Sequence, residues 1–300
     1  MKRRIIFCLA LALSTFGCAS SAIPAWPEDD DALSSGRDLL ERSVAAHRGD
    51  VFADLQDLSV SYDGRWGRIV PRLQPVLVDR GFRASSQERY LLPSGTVFQL
   101  HTGPQGEKTV LRRPDDVLVS YAGTAVPEVD EERQAASALV ADAYLMMITG
   151  PSYFLRPAAE IRSLPAAVED GQRFLRLRAR LRPGFGLSPE DRAVLWIDPE
   201  TFLLRRVEFS IEGLESTRGA EVDVTFSGHR EMHGKVWPTR FVERVRRPVS
   251  VFAHRWSLVG LDVDRGLTLD DLAPTAITEV AKAPAGAPLV AVSDRRRTDR

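Results

Sequence analysis

Between residues 175 and 226, apolar and polar positions alternate with a period of two. Leu175, Leu177, Ala179 and Leu181 fall on one side of a strand, and Arg176, Arg178, Arg180 and Arg182 on the other. Val207, Phe209 and Ile211 alternate with Arg206, Glu208 and Glu212, and Val222, Val224 and Phe226 with Glu221 and Asp223. Each segment predicts a strand with one core side and one wet side, so together they predict a long antiparallel sheet that needs a cover. From Leu58 to Tyr121 the strands are shorter. Turn signals break them at Asp63-Gly64, Asp79-Arg80-Gly81, Pro93-Ser94-Gly95, Gly103-Pro104-Gln105-Gly106 and Pro114-Asp115-Asp116, a spacing that predicts consecutive hairpins.

Two segments have helical spacing instead. Ser35, with Asp38 three residues on, predicts a helix start, and Gly49 its end; Leu39, Leu40, Val44 and Ala46 form its apolar face. A second helix is predicted from Asp130 to Thr149, stopped by Gly150-Pro151. Its apolar set of Ala136, Leu139, Val140, Ala143, Met146 and Met147 covers so broad an arc that the helix must be largely buried. These two helices are the candidates to cover the sheet. The predicted fold class is α+β, mostly antiparallel β: one strongly curved open half-barrel sheet with helices packed on its concave face, formed by a single domain over 35–275.

The ends of the chain have other patterns. Lys2, Arg3 and Arg4 precede an apolar run from Ile5 to Phe16, a length that fits the core of an export signal and is too short for a membrane span. Residues 1–17 are therefore expected to be a signal peptide. Residues 18–34, with Pro24, Pro27 and the acidic run Glu28, Asp29, Asp30 and Asp31, lack apolar periodicity and predict a tether. Residues 276–300, Ala/Pro-rich and then basic, predict a disordered tail.

Composition narrows the function. Without residues 1–17 the chain carries 37 Lys and Arg against 41 Asp and Glu, which lacks the basic excess of a nucleic-acid binder. Both cysteines, Cys8 and Cys18, lie in or at the end of the signal, so the folded part has no disulfide and no thiolate metal ligand. Thr15-Phe16-Gly17-Cys18 resembles the bacterial lipobox, which marks Cys18 for lipidation and the chain for membrane attachment through an N-terminal lipid anchor. Thr15 and Phe16 depart from the Leu and the Ala or Ser preferred there. Cleavage after Ser20-Ser21-Ala22 is the alternative and would release a soluble periplasmic protein. Ala19 after the cysteine points to outer-membrane sorting.

Other chemistry finds little foothold. His229 and His233 bracket Glu231 at helical metal-site spacing, but Gly228 and Gly234 put them around a hairpin turn where side chains diverge. His47 and His101 are expected at the surface or at a helix C-cap. Asp262 and Asp264 share a strand face and are expected to be solvated. No nucleophile elbow, phosphate loop or dinucleotide fingerprint occurs. Neither a metal nor a cofactor is implied. The ladder of Arg176, Arg178, Arg180 and Arg182 could contact phosphate headgroups, or could be neutralised across the sheet by Glu208, Glu212, Glu221 and Asp223.

Three local patterns combine: Trp196-Ile197-Asp198-Pro199-Glu200-Thr201 with the Arg-bearing strand that follows, Gly234-Lys235-Val236-Trp237-Pro238, and the helix stop at Ile148-Thr149-Gly150-Pro151. In this order they resemble the LolA/LolB-like outer-membrane lipoprotein-sorting family over roughly Ser35 to Asp271, most specifically between Asp191 and Phe241. Phe202 stands where the family often has glycine. The resemblance implies an open β-barrel capped by helices, with a hydrophobic cavity that receives acyl chains of lipids or lipoproteins and performs no catalysis. Strand and helix alternation places Leu175, Leu177, Leu181, Val207, Phe209, Ile211, Val224 and Phe226, with Leu139, Ala143, Met146 and Met147, where they would line such a cavity or else fill a packed core. Two alternatives stand beside the carrier reading: an envelope protein-interaction or stress-sensing module on the same scaffold, and an envelope hydrolase using His229, His233, Asp262 or Asp264.

Overall fold

A computed structural model describes residues 23, 24, 26, 36–156 and 159–273. The chain begins with α1 (Arg37–Ala46) and α2 (Val51–Asp54), followed by β1 (Asp57–Trp66). Two helical turns, α3 (Val70–Leu73) and α4 (Pro75–Val78), lead to the hairpins β2 (Ser85–Leu91), β3 (Thr96–Gly103), β4 (Gly106–Arg113) and β5 (Asp116–Gly123). Helix α5 (Glu131–Thr149) continues as a 3-10 turn, Gly150–Leu155. The second run is β6 (Ala159–Glu169), β7 (Gln172–Leu181), β8 (Asp191–Ile197), β9 (Leu204–Ser210), β10 (Glu221–Ser227), the small hairpin β11 (Arg230–Met232) and β12 (Lys235–Trp237), β13 (Arg240–Arg247) and β14 (Val251–Val263).

Twelve strands form one antiparallel sheet in the order β5-β4-β3-β2-β1-β14-β13-β10-β9-β8-β7-β6, an open half-barrel. Two meanders are thus sewn together by the first and last strands of the chain, Leu58 opposite Val263 and Trp66 opposite His254. Topology then dictates where α5 runs. It connects β5 to β6, the two outermost strands, and a nineteen-residue helix about 28 Å long is the shortest way across the concave face. Thirteen of its residues are buried, which explains why its sequence is apolar nearly all round. Asp130 caps it by accepting from Arg133 N, and Gly150 ends it as expected.

Several expectations need correction. Asp63-Gly64 is not a turn but the middle of β1. Gly64 lies so close to His254 that a Cβ would meet Nε2 at 2.5 Å, so the glycine marks a close approach of strands. Residues 70–78 are helical because Pro71 and Pro75 sit in the first turns of α3 and α4, where a missing N–H costs nothing. The N-cap of α1 is Gly36, and no side chain caps it; Ser35 lies outside the described residues. The cover consists of more than two helices, since α4 packs on α5 and α1 on the 150–155 turn. His47 does form the C-cap of α1, but both it and His101 are buried.

The stretch expected to be a tether is partly docked. Ile23 is 1% exposed and packs with Val194 and Trp196 on the outer face of the sheet, with Leu164, Ala167 and Phe174 around them. Trp26 lies beneath the guanidinium groups of Arg162, Arg178 and Arg180. Cys18, residues 1–17 expected to be a signal and the 276–300 tail lie outside the described residues.

Candidate functional site

The concave face has two halves of different chemistry. Strands β6–β10 present an almost purely apolar surface, which β13 continues except at Glu243, which lies opposite Val224 and whose pKa burial raises to about 7. Leu177, Leu181, Val207, Phe209, Ile211, Val224 and Phe226 are buried in one cluster with Leu139, Ala143, Met146 and Met147 of α5, and Leu175 packs against it partly buried. All twelve alternation-selected residues therefore come together, although Ile211 lies just beyond the end of β9. They are buried against one another, and two clefts among the described residues are lined by other side chains.

The filling of this half comes partly from a loop. The backbone of α5 lies nearest β3, β4 and β5, the other half of the sheet. Over the apolar half sits Phe185, from the loop 182–190, with no exposed surface, 5.2 Å from the ring of Phe209 and 6.0 Å from that of Tyr153. The next residue, Gly186, has φ +65°, and a Cβ there would meet the backbone nitrogen of Leu139 at 2.8 Å, so only glycine lets the loop come this close to α5.

Polar contacts fasten the loop. Gly186 N donates to Asp142 Oδ2 at 2.7 Å, and its carbonyl accepts from Arg112 Nη2 at 3.1 Å. Arg112 grips the same Asp142 through Nε and Nη2, at 3.2 and 3.1 Å, so helix α5, strand β4 and the loop share one buried ion pair. Burial raises the Asp142 pKa, and Arg112 opposes that shift. On the loop's other side, Phe185 N donates to buried Asp191, which also accepts from Ser210 and from Glu212 N.

The second half, β1–β5, is studded with buried polar groups that sequence reading missed. Pairing sets Lys108, His101, Ser86 and Tyr62 in one row across the strands, and Val110, Gln99, Glu88 and Val60 in the next. Glu88 accepts from Ser86 Oγ at 2.7 Å and from Tyr90, and burial raises its pKa. Lys108 pairs with Asp79 at 2.9 Å, and burial lowers it to about 8 despite that partner. Arg83 donates to the carbonyls of Leu77 and Val78 and to Tyr144 of α5, tying α4 over this half. A narrow cleft opens here between Tyr62, Gly64, Arg83, Ser86, His101 and His254. His254 stacks between Trp66 and Trp256, neither of its ring nitrogens has a hydrogen-bond partner among the described residues, and its pKa is lowered by burial and by Arg83. The signal was in the sequence: polar residues alternate here with the period of the sheet, but on the side that faces inward.

The arginine ladder is engaged on the outer face. Arg180 pairs with Glu160 of β6, Arg182 with Glu160 and Glu190, and Arg176 donates to the Pro165 carbonyl and stacks on Trp196. The acids expected to neutralise it serve other arginines, because β9 and β10 are two and three strands away from β7. Glu208 meets Arg206, Asp223 meets Arg246, and Glu221 lies 3.9 Å from Arg247; Glu212 instead accepts from Gly219 N.

Other candidates separate in space. His233 occupies the left-handed turn of the β11–β12 hairpin and reaches the Leu261 carbonyl, whereas His229 faces His47 at 5.7 Å. Among the described residues no three His, Cys, Asp or Glu side chains come together to hold a metal. Asp264 lies past the end of β14 in a left-handed conformation and accepts from Gln56 N, so it does not share a strand face with Asp262. Phe202 has φ +58°, a left-handed conformation that glycine adopts without strain; its ring lies 3.9 Å beneath the Arg42 guanidinium.

Compared with known protein families and with curated proteins, the sequence matches none. Solved structures do match. A LolA superfamily protein of Nitrosomonas europaea superposes with a TM-score of 0.51 at 13% identity, covering 81% of this chain and 99% of the other. A DUF1329 family protein of Desulfovibrio piger gives 0.41 at 12%, with 81% and 99% covered. Lipoprotein LppX of Mycobacterium tuberculosis gives 0.25 at 12%, with 79% and 100% covered. The chain has a LolA-like fold.

Proposed function

We infer that this protein is a cell-envelope lipoprotein that binds the acyl chains of a lipid or lipoprotein in the apolar half of its concave face, as carrier or acceptor, without covalent chemistry. The observation that carries the reading is Phe185. The greasy half of the sheet is filled by a side chain from a loop, and a loop is the element that a protein can withdraw without dismantling its core. A chain entering beside Phe209, Val207 and Leu177 takes the place of the Phe185 ring, and the Arg112–Asp142–Gly186 contacts act as the latch that holds the empty form shut. Acylation of Cys18 places the protein at the periplasm-facing side of a membrane, the outer membrane by the residue that follows it. Arg176, Arg178, Arg180 and Arg182 are candidates to meet headgroups when the outer face nears the bilayer.

The test is native mass spectrometry of the protein purified from its own envelope, with organic extraction of anything released. A copurifying phospholipid or acylated peptide, beyond an anchor on Cys18, is the expected result, and Leu177→Ser or Phe209→Ser should lower its occupancy. A folded protein that carries no lipid and takes up none from vesicles overturns the reading.

A further inference from the structure

A cleft of about 160 Å³ lies far along the sheet from the loop 182–190, where strand β14 parts from β13. Strand β13 begins at Arg240, opposite Ser257, so among the described residues strand β14 from Leu258 to Val263 is paired with β1 on one side and with no strand on the other. The β11–β12 hairpin approaches this open side but belongs to a separate two-stranded sheet. It touches β14 through His233, whose Nε2 lies 3.1 Å from the Leu261 carbonyl, and Leu258 N donates to the Thr239 carbonyl at the cleft's inner end. A register shift at this point leaves Val259 out of the pairing and 39% exposed. The result is a stretch of strand edge lined by Met232, Leu258 and Leu261 and flanked by the hydroxyls of Thr239 and Ser257.

Charge adds a preference. Arg230 and Arg240 stand on the walls of the cleft, no acidic side chain lines it, and neither arginine has an ion pair among the described residues. Glu231, the nearest acid in sequence, is taken by Arg48 at 2.8 Å.

We propose that this cleft is a protein-docking slot in which an extended polypeptide segment bearing carboxylates adds as a strand to the open edge of β14, with Arg230 and Arg240 gripping its acidic side chains. An open edge supplies main-chain hydrogen bonds to any extended peptide, and flanking pockets and charges choose among them. Two guanidinium groups select carboxylates through charge-assisted, bidentate bonds. The slot shares no residue with the acyl-chain surface, so the two sites succeed or fail independently.

The experiment uses the full mature chain and fluorescein-labelled acetylated hexapeptides, one alternating valine and glutamate and one alternating valine and lysine, read by fluorescence anisotropy at physiological salt. The glutamate peptide should bind at least tenfold more tightly than the lysine peptide, each charge-assisted bond being worth about that factor. The double variant R230Q/R240Q, which changes one half-buried and one exposed side chain, should keep its circular dichroism and erase the preference. N-methylation of alternate peptide amides should weaken binding about tenfold by removing main-chain donors. Equal affinity for the two peptides, binding unchanged in the double variant, insensitivity to N-methylation, or no binding at millimolar peptide would overturn the proposal. None of these results depends on lipid occupancy.

Discussion

Truncating Phe185 to alanine separates a plug from a pillar. The ring has no exposed surface and rests against Phe209 and Tyr153. Removing it leaves a hole of ~100 Å³, which at ~24 cal/mol per Å³ costs ~2.4 kcal/mol, and the lost transfer of the ring brings the total into the usual ~3–5 kcal/mol for a buried phenylalanine. For a core residue that loss also ruins whatever the core does. For a plug the consequence for binding is opposite, because an acyl chain competes with the ring for the same space. Apparent affinity is intrinsic affinity scaled by the fraction of molecules that are open. If closure is worth ~3 kcal/mol, it masks about two decades of affinity, at ~1.4 kcal/mol per tenfold. Phe185→Ala should therefore lower the urea-derived unfolding free energy by ~3–4 kcal/mol while tightening a fluorescent fatty-acid probe by ~10- to 100-fold. Phe209→Ala, a strand residue in the same cluster, should cost similar stability and weaken the probe. If Phe185→Ala loses probe affinity in parallel with Phe209→Ala, the ring is a pillar and the loop is not the gate.

Asp142→Asn strands the Arg112 guanidinium in a site where both partners are largely buried, and should cost ~3–5 kcal/mol; hydrogen exchange at the Gly186 amide should quicken at least tenfold more than at the Phe209 amide, and equal acceleration would show that no latch exists. His47 donates through Nδ1 to the Val236 carbonyl and accepts through Nε2 from Leu204 N, so it is held neutral, and burial lowers its pKa from 6.5 to about 4. A depressed histidine leaves the unfolded chain with the extra proton, so stability falls as pH drops from 6.5 toward 4, by at most ~1.4 kcal/mol per pH unit from this residue. His47→Gln should flatten urea-derived stability against pH in that window, and an unchanged slope would refute the assignment. At Phe202 the left-handed backbone costs ~1–2 kcal/mol. Phe202→Gly should melt within a few degrees of the natural protein, because relief of strain offsets the lost ring, whereas Phe202→Ala keeps the strain, loses the ring and should melt lower. Equal melting temperatures for the two variants would contradict this.

Period-two alternation made the second meander legible because most of its inward positions are apolar and many of its outward ones charged, so the sheet, the covering helix and the twelve-residue cluster could be placed from residues alone. Inward Glu243 and the outward apolar Val194 and Trp196 break the pattern. The first meander was legible as hairpins, but its inward face was not. His101, Glu88, Gln99, Lys108 and Arg112 point to the core, and a polar residue at a strand position reads as solvent-facing until its neighbours are known. The loop plug was hidden for another reason. Phe185 lies in a Pro/Gly-rich connector, Arg182-Pro183-Gly184-Phe185-Gly186, where local pattern predicts a turn and gives no hint that one ring turns inward. Nor could spacing show that Ile23 and Trp26 find a seat on β6–β8, since that contact joins residues about 150 positions apart.

That seat shortens a leash. As free chain, the seventeen residues from Cys18 to the start of the folded domain would reach roughly 60 Å at ~3.6 Å each, enough for the domain to roam well clear of a bilayer. With Ile23 fixed to the sheet, only four residues lie between it and the cysteine, a reach of ~18 Å over five links. A domain acylated at Cys18 is thus moored like a boat on a short line, always with the same flank toward the quay. Whatever enters or leaves its concave side does so at a nearly constant height above the lipid and from a restricted set of directions. Replacing Ile23 and Trp26 would lengthen the line without touching the hold.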